Sequence, residues 1–183
     1  SINAPKINII EVFESYSKKV NCGGGAVDGL LADQAYTPGS WGYTGTTYTF
    51  TTSDTINPDC GYPNAMKSER YSPSTFSYKF DVPNGTYTVK LYFAEIYSTS
   101  AGARKFSVDI EGVNKLNEYD IYADAGGHDK GVVKTFSGIN VADGVLQIDF
   151  KLGSINAPKI NIIEINSCIC GWMYNVSGLC IQS

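Results

Sequence analysis

The chain of 183 residues carries one histidine and five cysteines, so most reactive constellations can be tested by position alone. His128 lies in A-G-G-H-D-K-G with no serine or cysteine motif around it. That context reads as a loop hydrogen-bonder rather than a general base. Asp120, Asp124 and Asp129 lie near it but lack the dense alternating carboxylates of a calcium loop, so no metal or cofactor is expected. Glu69 and Arg70 are neighbours that read as a structural ion pair. The stretch 33–75 holds Tyr36, Trp41, Tyr43, Tyr48 and Tyr71 among Gly, Pro and Asp, and loops this long in a compact domain tend to be functional. A glycosidase would need two carboxylates flanking a cleft, and no loop offers such a pair beside these aromatics. The expectation is a binding protein and not an enzyme.

The cysteines divide into Cys22 and Cys60 early and Cys168, Cys170 and Cys180 at the end. A structural zinc site usually wants two Cys pairs, with His as an alternative ligand, and the terminal C-I-C-G-W-M-Y-N-V-S-G-L-C run does not supply them. Disulfides are expected instead, Cys22 with Cys60 inside the domain and two of the remaining three in the tail. Cysteine usage, with the sequons at Asn84 and Asn175, points to a secreted or cell-surface protein. The formal charge of −4 and the scattered basic residues argue against nucleic acid and anionic membranes as partners. No run approaches the length of a membrane span, and no leader pattern is visible, as in a mature chain or a fragment.

The elements that must position these residues are strands. Phe76, Tyr78, Phe80 and Val82 alternate with polar residues, as do Tyr87, Val89, Leu91 and Phe93, and Asn84-Gly85 between them predicts a type I′ hairpin. Phe106, Val108 and Ile110 alternate likewise, then Leu146, Ile148, Phe150 and Leu152, and P-K-I-N-I-I-E-I reads as a central strand. No 3.6-residue period stands out. The class is all-β, an antiparallel sandwich or jelly roll.

Residues 1–11 and 154–164 are both S-I-N-A-P-K-I-N-I-I-E. The second copy is placed as the closing strand of the sandwich. The first is most simply the last strand of a preceding, near-identical unit, with 12–19 as linker. Exchange of the spare strand between neighbouring copies is the alternative.

The chain also resembles the malectin-type carbohydrate-binding domains over about residues 20–166. The ordered matches are V-N-C-G-G at 20–24, A-D-Q-x-Y at 32–36, G-S-W-G-Y at 39–43, S-E-R-Y at 68–71, L-Y-F-A-E-I-Y at 91–97, Y-D-I-Y-A at 119–123 and N-A-P-K-I at 156–160. The resemblance implies a lectin-like β-sandwich. The family's animal endoplasmic-reticulum member recognises a glucose-containing disaccharide on N-glycans through four aromatics and an aspartate. Carried over by motif, the corresponding positions are Tyr43, Tyr71, Tyr97, Ser98 where the family has phenylalanine, and Asn156 where it has aspartate. Aromatic faces pack on pyranose C–H faces, and a carboxylate holds sugar hydroxyls by charge-assisted hydrogen bonds. Here one wall is missing and the charged acceptor is a neutral amide. Residues 167–183 resemble part of an epidermal-growth-factor-like module. The implied partners are oligosaccharides or glycoprotein glycans, with neighbouring copies of the same repeat. A structural subunit of an extracellular filament is the competing function, since head-to-tail contacts that do not close make filaments.

Overall fold

The computed structural model describes residues 15–167, together with the backbone of 173–174 and 180–181. The strands are β1 (Ser17–Asn21), β2 (Leu31–Ala32), β3 (Trp41–Thr44), β4 (Tyr48–Thr51), β5 (Ser68–Tyr71), β6 (Phe76–Asp81) and β7 (Gly85–Ala94). They continue with β8 (Lys105–Ile110), β9 (Val113–Tyr119), a short helix α1 (Ile121–Ala125), β10 (Gly131–Val141), β11 (Val145–Ile155), β12 (Lys159–Ile160) and β13 (Ile162–Ser167). One sheet runs β10-β7-β13-β1-β2, and a second runs β3-β6-β11-β8-β9. A third, smaller sheet has the order β12-β5-β4. Apart from the parallel β1–β2 pair, the strand pairs are antiparallel. The fold is the expected all-β sandwich.

The alternation in the sequence decides which side chains face inward. On β6, Phe76, Tyr78 and Phe80 are buried while Ser77, Lys79 and Asp81 are half-buried, the period of two that a one-faced strand requires. Phe76 stacks on Phe150 of β11 with ring centroids 4.9 Å apart. Val89, Leu91 and Phe93 of β7 complete the same core from the opposite sheet. The end of β7 is buried on both faces, because Tyr92 and Ala94 enter a second apolar cluster with Met66 and Ile162.

The expected hairpin does not form. β6 pairs with β3 and β11, whereas β7 pairs with β10 and β13, so the two strands face each other across the core from different sheets. Asn84 and Gly85 both stay outside the left-handed region that a type I′ turn demands. An inward alternation satisfies a hairpin and a sheet-to-sheet crossover equally well, and only partners distant in sequence distinguish them. Asn84 is exposed in this crossover.

The domain also starts earlier than the expected boundary. β1 begins at Ser17, Tyr16 packs edge-on against Tyr87 at 6.1 Å, and its backbone N–H donates to Ser167 Oγ at 3.0 Å. Residues 16–19 therefore belong to the sandwich rather than to a linker. The 154–164 copy is more than a closing strand. It runs from the end of β11 through β12 into β13, which lies between β7 and β1 in mid-sheet. The first copy, residues 1–11, lies outside the described residues.

The expected Cys22–Cys60 disulfide is absent, and both thiols are free. Cys22 is fully buried in the main core, with its thiol directed to the Val20 carbonyl. Cys60 belongs to the second cluster, beside Met66. Two core clusters hold them apart, and burial pushes both thiols above the ordinary cysteine range. The side chains of Cys168, Cys170 and Cys180, and Asn175, lie outside the described residues; β14 (Met173–Tyr174) and β15 (Cys180–Ile181) pair antiparallel through their backbones.

Gly23, in the V-N-C-G-G segment, has φ +80°, and a Cβ there would lie 2.2 Å from the Glu69 carbonyl oxygen. Glycine lets the chain after β1 pass against β5, where the site is built. Gly23→Ala is expected to cost about 3 kcal/mol through strain and forced backbone displacement, read as a lowered urea midpoint at unchanged m-value.

Candidate functional site

A pocket of about 210 Å³ opens on the small sheet, lined by Phe50, Glu69, Tyr71, Tyr97, Arg104, Asn156 and Ala157. β4 supplies Phe50, and β5 supplies Glu69 and Tyr71, two apart and therefore on one face. Tyr97 follows the end of β7, Arg104 precedes β8, and Asn156–Ala157 form the turn between β11 and β12. Tyr97 is 66% exposed and meets Phe50 edge-on at 5.7 Å. Tyr71 pairs with Tyr48 across the strands at 5.7 Å. The rings thus stand partly in solvent, with apolar faces and hydroxyls available together.

Below the rings lies a buried set of four charges. Lys159, fully buried, donates to Glu69 Oε2 and to the Ala94 carbonyl. Arg104 Nε donates to Glu95 Oε2 at 2.7 Å, and its Nη1 donates to the Ala157 carbonyl. Glu95 Oε1 accepts the backbone N–H groups of Tyr97 at 3.1 Å and Ser98 at 2.8 Å. One carboxylate therefore shapes the turn that presents Tyr97 and also holds Arg104 at the pocket. Burial alone would raise the Glu95 carboxyl, but Lys159 and Arg104 outweigh it and hold it below the ordinary glutamate range. Burial draws the Lys159 amine down, against the pull of Glu69 and Glu95.

Of the positions expected from sequence, Tyr71, Tyr97 and Asn156 are brought together in this pocket. Tyr43 is not among its lining residues. It sits on β3 in the second sheet, where the Arg70 guanidinium lies 3.4 Å over its ring. Ser98 is buried and turned inward, its amide on Glu95 and its carbonyl on His128 Nδ1. Asn156 has φ 64°, and its Oδ1 accepts the Ala157 N–H at 2.7 Å, so that oxygen is already engaged in the turn.

Glu69 and Arg70 do not pair with each other. Successive residues on β5 point to opposite faces, so Glu69 meets Lys159 while Arg70 meets Asp33 at 2.6 Å. Sequence reasoning missed Phe50, Arg104 and Ala157, and took Glu69 as structural only. The i, i+2 relation of Glu69 to Tyr71 was a usable signal. Arg104 had none, because its place depends on Glu95 across a loop.

Two packed antiparallel sheets with an aromatic pocket on a third define a lectin-like β-sandwich domain. The Malectin domain family model matches residues 16–167, and the chain belongs to that family. Mouse malectin is 29% identical over 111 residues, 54% of this chain and 38% of that protein. A probable leucine-rich-repeat receptor-like kinase of Arabidopsis thaliana is 33% identical over 108 residues, 55% of this chain and 10% of that protein. The chain spans two-fifths or less of the curated relatives it matches. Among solved structures, a Bacteroides uniformis β-glucuronidase matches with TM-score 0.70 at 22% identity, over 84% of this chain and 18% of that one. The plant receptor-like kinase ANX2 matches with TM-score 0.69 at 18% identity, over 82% of this chain and 47% of that one. These structural likenesses establish the fold.

Glu95→Gln leaves Arg104 and Lys159 without their shared counter-charge, and is expected to cost about 3–5 kcal/mol near neutral pH. Because Glu95's folded pKa lies below its unfolded value of 4.5, its contribution is fully present above that pH and is lost as pH falls through the folded value. Acid titration of denaturant midpoints should therefore show a shallower acid decline in the variant than in the wild type.

Proposed function

We propose that this domain is a non-catalytic carbohydrate-binding module of a secreted or cell-surface protein. The observation that carries the reading is the pocket itself, where the exposed Tyr97 and half-buried Tyr71 stand beside a charged floor of Glu69 and Arg104. An aromatic wall suits the C–H face of a pyranose, and the Glu69 carboxylate suits its hydroxyls. Glu69 is the one carboxylate among the lining residues, and Lys159 already pairs with it, an arrangement suited to binding rather than to the two-carboxylate chemistry of glycoside hydrolysis. The pocket volume suits one sugar ring, such as the terminal residue of a glycan. Tyr43 and Ser98 act behind the site, and Asn156 acts through the turn it caps. Sequon glycosylation at Asn84 and Asn175, disulfides within the tail and its growth-factor-like character accompany the extracellular reading.

The exact duplication of S-I-N-A-P-K-I-N-I-I-E favours a second reading, a tandem repeat unit of an extracellular filament or coat. Sedimentation of the chain with and without residues 1–14 separates its two forms. An unchanged monomer fits a simple array, and loss of self-association fits strand exchange.

A glycan-array screen of the full chain beside a Tyr71→Ala, Tyr97→Ala double variant tests the sugar-binding reading. Binding by the wild type should fall by at least about tenfold in the variant, since each ring contributes roughly 0.5–1.5 kcal/mol beyond its buried area. A folded wild type that binds no glycan refutes the reading.

A further inference from the structure

Ser98 follows the pocket's Tyr97, and its carbonyl lies 2.9 Å from His128 Nδ1. A carbonyl only accepts, so Nδ1 carries the hydrogen. In the neutral imidazole Nε2 is then a bare lone pair. It faces Asp129 Oδ2 at 3.4 Å, and Asp54 brings a further carboxylate to the same spot. One ligand atom from each of the three residues lies within 4.8 Å of the others. Asp129 Oδ1 is buried and has no hydrogen-bond partner among the described residues. Acceptors converging in this way repel one another unless a cation lies among them, and a buried oxygen without a partner is costly.

We propose that Asp54, His128 and Asp129 are the protein ligands of a divalent-cation site. The chemistry selects a zinc-like ion. An imidazole nitrogen with two carboxylates suits zinc, whereas calcium and magnesium prefer oxygen alone. With metal–ligand distances of about 2.1 Å, the edge of a tetrahedron is about 3.4 Å, which is the Nε2–Oδ2 separation. The Ser98 carbonyl on Nδ1 is the type of outer partner that orients a ligating histidine. The Asp129 backbone is fixed on both sides, its N–H donating to the Glu95 carbonyl at 3.0 Å and its carbonyl accepting from Asn57 at 2.9 Å. Asp54 is exposed on the loop after β4, so its side chain is free to close the remaining distance. Three ligands leave a fourth position for water or for an oxygen of a bound molecule. The competing occupant is a proton, which would make His128 an imidazolium.

The test is a zinc titration of the full chain against a chromophoric chelator, with Asp54→Asn and His128→Gln in parallel, while NMR follows the His128 ring. The expected result is one zinc per chain, with affinity weakened by about tenfold or more in each variant. The His128 ring resonances should shift in step with zinc addition in the wild type, because Nε2 becomes a ligand. Equal zinc affinity in all three proteins, as ligation by the cysteines would produce, overturns the proposal. So does an absence of zinc binding, or His128 ring resonances indifferent to zinc.

Discussion

The pocket depends on one buried lysine. Lys159 is fully buried, and the segment that delivers it pairs with β5 and leads directly into mid-sheet β13. Its amine ties Glu69 of β5 to the end of β7 at Ala94. Desolvating an ammonium costs several kcal/mol, so this lysine is poor evidence for added stability and good evidence for a fixed arrangement. Around it, Glu69 pairs with its amine while Glu95 pairs with Arg104. Each acid then performs a second task. Glu69 lines the pocket, and Glu95 gathers the two amides that begin the Tyr97 turn.

Asn161, two residues further on, fastens the same junction with neutral groups. Its Oδ1 accepts the Ala94 N–H at 2.9 Å, while its Nδ2 donates to the Met66 and Ser68 carbonyls at 3.0 and 2.8 Å. These carbonyls and this amide lie in a fully buried region, where unpaired they would each be costly. The small sheet is therefore held to the sandwich by polar groups matched one to one as well as by apolar packing. On the other face of β5, Arg70 bonds Asp33, just after β2, and lies over Tyr43 of β3, so the strand is tied on that face as well. Residues 33–75 are not the long loop that their composition suggests: Phe50 and Tyr71 stand on strands β4 and β5, and the turn carrying Tyr97 is held by Glu95. That combination lets a site use exposed rings without the entropy of a mobile loop.

The duplicated segment takes on a physical meaning in this setting. Residues 154–164 contain Asn156, Lys159 and Asn161, and so hold a pocket turn, the buried charge and the polar fastening together. The same eleven residues also stand at positions 1–11 of the sequence.

Sequence alone determined the strand class and the inward faces of β6, β7, β8 and of β11 as far as Phe150, beyond which Leu152 is exposed. Tyr71, Tyr97 and Asn156 were pointed to by the family resemblance, and they line the pocket. A two-residue period is a local property, and the backbone geometry enforces it wherever the strand is placed. Sequence could not determine that β6 and β7 lie in different sheets, that Cys22 and Cys60 stay apart, or that Glu69 and Arg70 take separate partners. Nor could it bring Arg104 beside Tyr97, or His128 beside Asp54. Those outcomes depend on pairings many residues apart, where the competition among sheet partners and the cost of burying charge are settled only when the whole chain packs. Tertiary structure decided the neighbours, because a side chain's direction is local and its company is not.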